Sequence, residues 1–181
     1  MGRLVADLET MADAGAAGFT LQPSMVAVRP LIDAVLDGLG GHFAERRLHI
    51  VRRLEEVTVV ADPVRLTQVV TNLLTNAATH TPPGGTITIT VVGGAAAAEL
   101  TVADTGSGIS EHDLPRVFDR FFRGATSPGG GAGIGLAVAA ELVAAHAGTI
   151  TVQSRPGQGS SFRVRLPGTT PAAREVFTRT T

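Results

Sequence analysis

The stretch GGGAGIGLAVAAELVAAH, Gly129 to His146, sets five glycines within seven residues directly ahead of an unbroken apolar helix pattern. Glycine beside a helix start lets backbone N–H groups approach an anion while the positive end of the helix faces the same point, so the stretch reads as a phosphate site. A flexible linker leading into a core helix would have a similar composition. Gly131, Gly133 and Gly135 follow a G-x-G-x-G spacing, which is neither the G-x-G-x-x-G dinucleotide fingerprint nor the G-x-x-x-x-G-K-[ST] loop. The chain contains no lysine, so phosphates must be held by backbone amides, arginines and a metal ion.

Outward from this stretch, 181 residues are enough for one domain with a sizeable core, or one domain with a short appendage. Hydrophobic residues make up 44% of the chain, but no apolar run approaches the ~20 residues that a bilayer span needs. The N-terminal MGRLVADLET carries acidic residues and no apolar signal-peptide core. A formal net charge of -1 argues against a nucleic-acid coat or a membrane-surface binder. With no cysteine there are no disulfides and no thiolate metal sites.

Residues 1–14 are expected to be a helix, with Leu4, Val5, Leu8 and Met11 at helical spacing, and they resemble the tail of something larger. A second helix is expected from Arg29 to Leu39, stopped by GLGG. The strongest helix pattern is DPVRLTQVVTNLLTNAATH, with Asp62 as N-cap, Pro63 at the first position and a core stripe of Leu66, Val69, Val70, Leu73, Leu74 and Ala77. Strands are expected in LHIVRRL, VTVVA, TITITVV, ELTVAD, GTITVQS and SFRVRL. Helices too few to cover both faces of a sheet, interleaved with hairpin-like strands, predict a two-layer α/β sandwich with a mixed, mostly antiparallel sheet.

Asn72 and Asn76 lie four apart on the strong helix, on a face expected to point away from the core stripe. Asparagine is a weak helix former, so the pair reads either as a solvated face or as a neutral oxygen offered to Mg²⁺, which takes hard oxygen ligands and shares its shell with substrate phosphates. ADTGSGIS places Asp104 at a strand end, with Gly106 and Gly108 in the turn that follows. A carboxylate there can accept a hydrogen bond from an exocyclic amine.

Taken together, TNLLTNA, DTGSGI, FDRFFRG, GAGIGLAV and PGQGSSF occur in the order of the N, G1, F, G2 and G3 boxes, and the chain resembles the ATP-binding catalytic domain of sensor histidine kinases, within the GHKL superfamily. The resemblance covers roughly Thr20 to Pro167 and implies the Bergerat fold, an α/β sandwich of a mixed sheet on about three helices. It implies residues 1–14 as a remnant of the second dimerisation helix or a linker, 15–168 as the catalytic domain and 169–181 as a flexible tail. It also implies ATP and Mg²⁺ as cofactors, with Asn76 on the metal and Asn72 supporting the phosphates one turn earlier, both as catalytic residues. Asp104 would bind the adenine amine beside Gly106 and Gly108, with His80 against the ring. Gly131, Gly133 and Gly135 would pass the phosphates, and Ile109, Ile134, Leu136 and Ser161 in the same boxes would complete the nucleotide site. RGATSPGG resembles the ATP lid, with Phe118, Phe121 and Phe122 at its base and Arg120 and Arg123 as charge-neutralising candidates.

Two departures stand out. Thr79 occupies a position where the family usually has Lys or Arg, and none of the five histidines has the context of a phosphoacceptor. The implied activity is therefore transfer of the γ-phosphoryl group to a histidine on a separate dimerisation domain or partner chain, with a response regulator downstream and a cytoplasmic location, including the cytoplasmic part of a membrane sensor. The alternatives are a GHKL-type ATPase or serine kinase, or a nucleotide-binding interaction module without transfer. An ATPase of this fold would carry a general-base glutamate where this chain has Asn72.

Overall fold

A computed structural model of the chain describes residues 20–94, 97–124 and 132–168. The expected helix at residues 1–14, Gly131 with most of the lid stretch, and the tail at 169–181 lie outside the described residues. The elements run β1 (Ser24–Ala27), α1 (Val28–Glu45), β2 (His49–Leu54), β3 (Thr58–Ala61), α2 (Pro63–His80), β4 (Thr86–Gly93), β5 (Ala97–Asp104), a 3₁₀ turn (Leu114–Arg116), α3 (Gly135–Ala145), β6 (Thr149–Ser154) and β7 (Ser160–Pro167).

Five strands form one sheet in the order β2-β4-β5-β7-β6, in which only the β2–β4 pair is parallel. β1 and β3 form a separate antiparallel ribbon, linked to the end of β7 by a bridge between Val59 and Gly168. Along β4 and β5 the pleat alternates cleanly. Ile87, Ile89, Val91, Ala98, Leu100 and Val102 are buried, and the threonines between them are half-exposed. Such alternation belongs to a sheet covered on one face. The covering layer is the three helices, and the core they share with the sheet centres on Ile32, Leu73, Leu74, Leu142 and Phe162, none of them measurably exposed. Burying each such side chain contributes about 1.5–3 kcal/mol. The mixed two-layer sandwich read from the sequence is the fold observed, and among the described residues no helix is long and apolar enough to cross a membrane.

Two expectations are corrected. α1 does not stop at GLGG but runs through Gly38, Gly40 and Gly41 to Glu45. Its buried stripe of Ile32, Val35, Leu36 and Phe43 continues across the glycines, and tertiary packing of that stripe outweighs their poor propensity. β1 was not expected at all, because four residues after Pro23 carry no periodic signal and depend on pairing with β3.

Asp62 ties three elements together. Its Oδ1 accepts from the N–H groups of Val64 at 2.9 Å and Arg65 at 3.1 Å, capping α2 as expected, while Oδ2 accepts from Gln22 N–H at 2.9 Å. Its own N–H donates to His146 Nε2 at 3.0 Å, just beyond α3, and His146 Nδ1 lies 2.7 Å from the Leu142 carbonyl. Burial alone would push the Asp62 carboxyl up, but the backbone donors of Gln22, Arg65 and Val64 outweigh it and hold the group below its ordinary 3.8. A depressed carboxyl stabilises the fold above that value and loses the contribution as pH falls through the lowered one. Asp62→Ala is expected to cost about 1–2 kcal/mol near neutral pH and to flatten the acid limb of a stability–pH curve measured by urea denaturation.

Candidate functional site

At the C-terminal end of β5 the chain places Asp104, only 7% exposed. Its Oδ1 accepts from Gly106 N–H at 2.8 Å and Ser160 N–H at 3.3 Å. Among the described residues nothing bonds Oδ2, which is left for an incoming donor. Burial pushes the carboxyl above its ordinary value, against the pull of those two amides and of His80. His80 closes α2 on the same site. Burial pushes its imidazole below 6.5, and the neighbouring Asp104 charge partly opposes this.

The turn after Asp104 needs its glycines. A Cβ on Gly106 would strike the His80 carbonyl and Asp104 Oδ1, and Gly108 sits at φ +69° with its open side against the Arg155 carbonyl. Ser107 N–H donates to the His80 carbonyl at 3.3 Å, and Gly157 N–H donates to the Ser107 carbonyl at 2.7 Å. Ile109 is tied by its N–H to Ser154 Oγ at 2.8 Å and packs against the core. These contacts are all with the protein's own atoms, so the glycines shape the loop whether or not a ligand lies beside it.

Ser161 does not join this group. It pairs with Ala103 and Gln153 on the open face of the sheet, whereas Ser160, one residue earlier, faces the helices and bonds Asp104. With a side-chain period of two, one step along a strand changes the face. Ser160 was missed because it reaches Asp104 through its backbone N–H, which no side-chain pattern announces.

On α2, Asn72 is 5% exposed, correcting the expectation of a face directed away from the core. Its Nδ2 donates to the Gly135 carbonyl at 3.0 Å, joining α2 to the first turn of α3. Asn76, one turn later, is half-buried, and among the described residues nothing bonds its amide. Thr79 spends its hydroxyl on the Thr75 carbonyl at 2.8 Å, the last rung of a series in which Thr67, Thr71 and Thr75 each bond back four residues. Ile134 is 3% exposed and belongs to the core, with Leu136 packed on its margin, so both support the helix start from behind.

Gly133, at φ +68°, lies against the backbone of Phe121 and Phe122, and its carbonyl accepts from Phe121 N–H at 2.9 Å. This bond closes the base of the expected lid. Phe118 meets Phe162 edge-on at 6.3 Å, and the Arg116 guanidinium lies 4.5 Å from the Phe122 ring centroid. Phe121 is 64% exposed, so it is its backbone and not its ring that ties it to Gly133. Arg120 pairs with Glu141 of α3 at 2.6 Å, and Arg123 stands exposed where the described segment nears its end.

Among the described residues no cluster of three or more acidic or histidine side chains could hold a metal ion unaided. A cation here would depend on the Asn76 oxygen together with oxygens brought by an anionic ligand, which suits Mg²⁺. The one-sided Asp104 carboxylate likewise suits the amine of a purine.

Residues 61–170 match the family described as histidine kinase-, DNA gyrase B- and HSP90-like ATPase. The chain belongs to this ATPase family. The adaptive-response sensory kinase SasA of Synechococcus elongatus is 36% identical over 91% of this chain and 44% of its own length. The sensor histidine kinase TrcS of Mycobacterium tuberculosis is 47% identical over 62% of this chain and 23% of its own length. In three dimensions, full-length ShkA in complex with AMPPNP superposes with a TM-score of 0.81 at 30% identity, over 92% of this chain and 35% of that one. The chain thus spans less than half the length of the curated relatives it matches. In this ATPase domain of histidine-kinase type, the Asp104 turn, the α2 asparagines and the Gly133–Gly135 approach to α3 all fall within the matched residues.

Proposed function

We propose that this chain binds Mg-ATP and transfers its γ-phosphoryl group to a histidine on a separate dimerisation domain or partner chain, with a response regulator downstream. The observation that carries this reading is the Asp104 carboxylate, buried, held through one oxygen and open at the other beside His80, two turns along α2 from Asn72 and its bond to α3. Asp104 would accept the adenine amine, with Gly106, Gly108 and His80 around the base. Asn76 would hold Mg²⁺, which when bound neutralises charge on the β- and γ-phosphates. Asn72 would act through Gly135, fixing the start of α3 so that its free N–H groups meet the phosphates. Gly131 and Arg123 would meet them from the lid side.

In the transfer, the acceptor imidazole nitrogen forms a bond to the γ-phosphorus as the bond to the ADP oxygen breaks, and the imidazole proton passes to solvent. No base is needed on this chain, because the nucleophile comes from the partner and catalysis is mostly positioning and charge neutralisation. Water hydrolysis would be slow, since Asn72 stands where an ATPase of this fold carries its base and its amide is engaged with Gly135. Residues 15–168 would form the catalytic unit, working in the cytoplasm, with residues 1–14 leading toward the dimerisation helices.

Calorimetric titration with a non-hydrolysable ATP analogue, with and without Mg²⁺, tests the site. The expected result is magnesium-dependent binding in the micromolar range, about -8 kcal/mol, followed by labelling of an added histidine-containing dimerisation domain from radioactive ATP. Binding without labelling favours the interaction-module reading, and no binding overturns the proposal.

A further inference from the structure

The last turn of α2, which ends at His80, is held by a residue from another element. Arg46, the residue after α1, reaches across with Nη2 to the Thr81 carbonyl at 3.0 Å and, at a longer 3.4 Å, to the Thr79 carbonyl. Its own carbonyl accepts from Gly84 N–H at 3.4 Å, so the turn after α2 is tied to the same residue. Its Nε is buried and, among the described residues, has no partner. Two further carbonyls near this helix end are held as well. The Ala77 carbonyl takes both the N–H of Thr81 at 2.9 Å and its hydroxyl at 2.6 Å, and the His80 carbonyl takes Ser107 N–H at 3.3 Å.

A helix end carries exposed carbonyls and a partial negative charge, and a guanidinium placed there answers both. Here the end is also one wall of the candidate base pocket. The Gly106 turn lies so close to the His80 carbonyl that a single Cβ would not fit between them. The His80 carbonyl is thus packed on the Gly106 turn and bonded by Ser107 N–H, and the same turn holds Asp104 Oδ1 through Gly106 N–H.

We infer that Arg46 is a positioning residue for the adenine end of the site, clamping the last turn of α2 so that His80 and the Asp104 turn keep their mutual placement. The inference rests on the nucleotide reading proposed above. Arg46 touches neither base nor phosphate in this assignment and acts only through the Thr79 and Thr81 carbonyls. Both bonds leave from the one Nη2 nitrogen, so lysine would keep the charge and enough donors and would differ in the reach and direction of its shorter side chain.

Arg46→Gln and Arg46→Lys are compared with the parent chain by calorimetry with non-hydrolysable ATP and GTP analogues, and by amide hydrogen exchange at Thr81 and Ser107. In Arg46→Gln, ATP-analogue binding is expected to weaken about tenfold, the scale of one hydrogen bond to a charged group, with GTP-analogue binding unchanged and exchange at both amides faster. Arg46→Lys is expected to fall between the two, and it decides the matter if the glutamine variant does not fold. ATP-analogue binding within twofold of the parent, an equal loss for both nucleotides, or unaltered exchange at Thr81 and Ser107 overturns the inference. A parent chain that binds neither nucleotide sinks the site reading instead, and the exchange rates then still show whether Arg46 holds the turn.

Discussion

Asn76→Ala and Asn76→Asp are each expected to lower phosphoryl transfer by at least about 100-fold, the scale of removing one preorganised group that meets transition-state charge. The alanine variant removes the only oxygen that α2 offers at this position. The aspartate variant keeps an oxygen but sets a full negative charge toward a triphosphate, altering both the charge and the shell of the metal that shields it. Asn76 is half-buried and bonds nothing among the described residues, so neither change leaves a buried partner unpaired. Melting should therefore move by no more than about 0.5 kcal/mol, as for an ordinary surface substitution. Transfer from labelled ATP to an added dimerisation domain, read beside a thermal melt, gives both quantities. Transfer at the parent rate in either variant would remove Asn76 from the metal.

Asp104→Asn is expected to separate stability from affinity. The asparagine can keep its oxygen on the Gly106 and Ser160 amides, but it turns an NH₂ group toward the adenine amine, so a donor meets a donor. ATP should bind more weakly by about 1–3 kcal/mol, the scale of a hydrogen bond to a charged group, and discrimination against guanine should fall with it. The nucleotide-free protein should instead melt higher. Burial holds the Asp104 carboxyl above 3.8, so the folded chain binds more protons than the unfolded one in that window, and stability is lost as pH rises from the ordinary value through the raised one. At neutral pH the ionised group is a standing cost, which the neutral amide relieves. His80 has the opposite sign: its lowered value costs stability as pH falls through and below 6.5. ATP affinity equal in parent and variant would refute the adenine role, and a lower melting temperature in the variant would show that ionised Asp104 is not destabilising.

Where the sequence was legible, the reason was periodicity. The alternation of TITITVV and ELTVAD marked both as strands, and Asp62-Pro63 marked the start of α2. What the sequence hid was decided by tertiary contact. The glycines of α1 read as a stop until the packing of Phe43 is seen, and β1 is a strand only because β3 lies beside it. Asn72 looked like one half of an exposed pair, yet its partner is a carbonyl 63 residues away. Ser161 lies on the open face of the sheet and Ile134 in the core, because a motif does not say which way each of its side chains points. Arg46 lies outside every motif and became visible only with the geometry of the α2 terminus.

The bond from Phe121 N–H to the Gly133 carbonyl joins two residues that stand twelve apart in the chain. A loop closed at its neck has its ends fixed independently of its contents, and doubling the length of such a loop costs only about 0.6 kcal/mol. Insertions between Gly124 and Ala132 would therefore leave Asn76, Asp104 and the start of α3 where they are. An engineer splicing a fluorescent reporter into this neck would thus put at stake only the lid-side contact proposed for Gly131, with the base and metal ends of the site left in place.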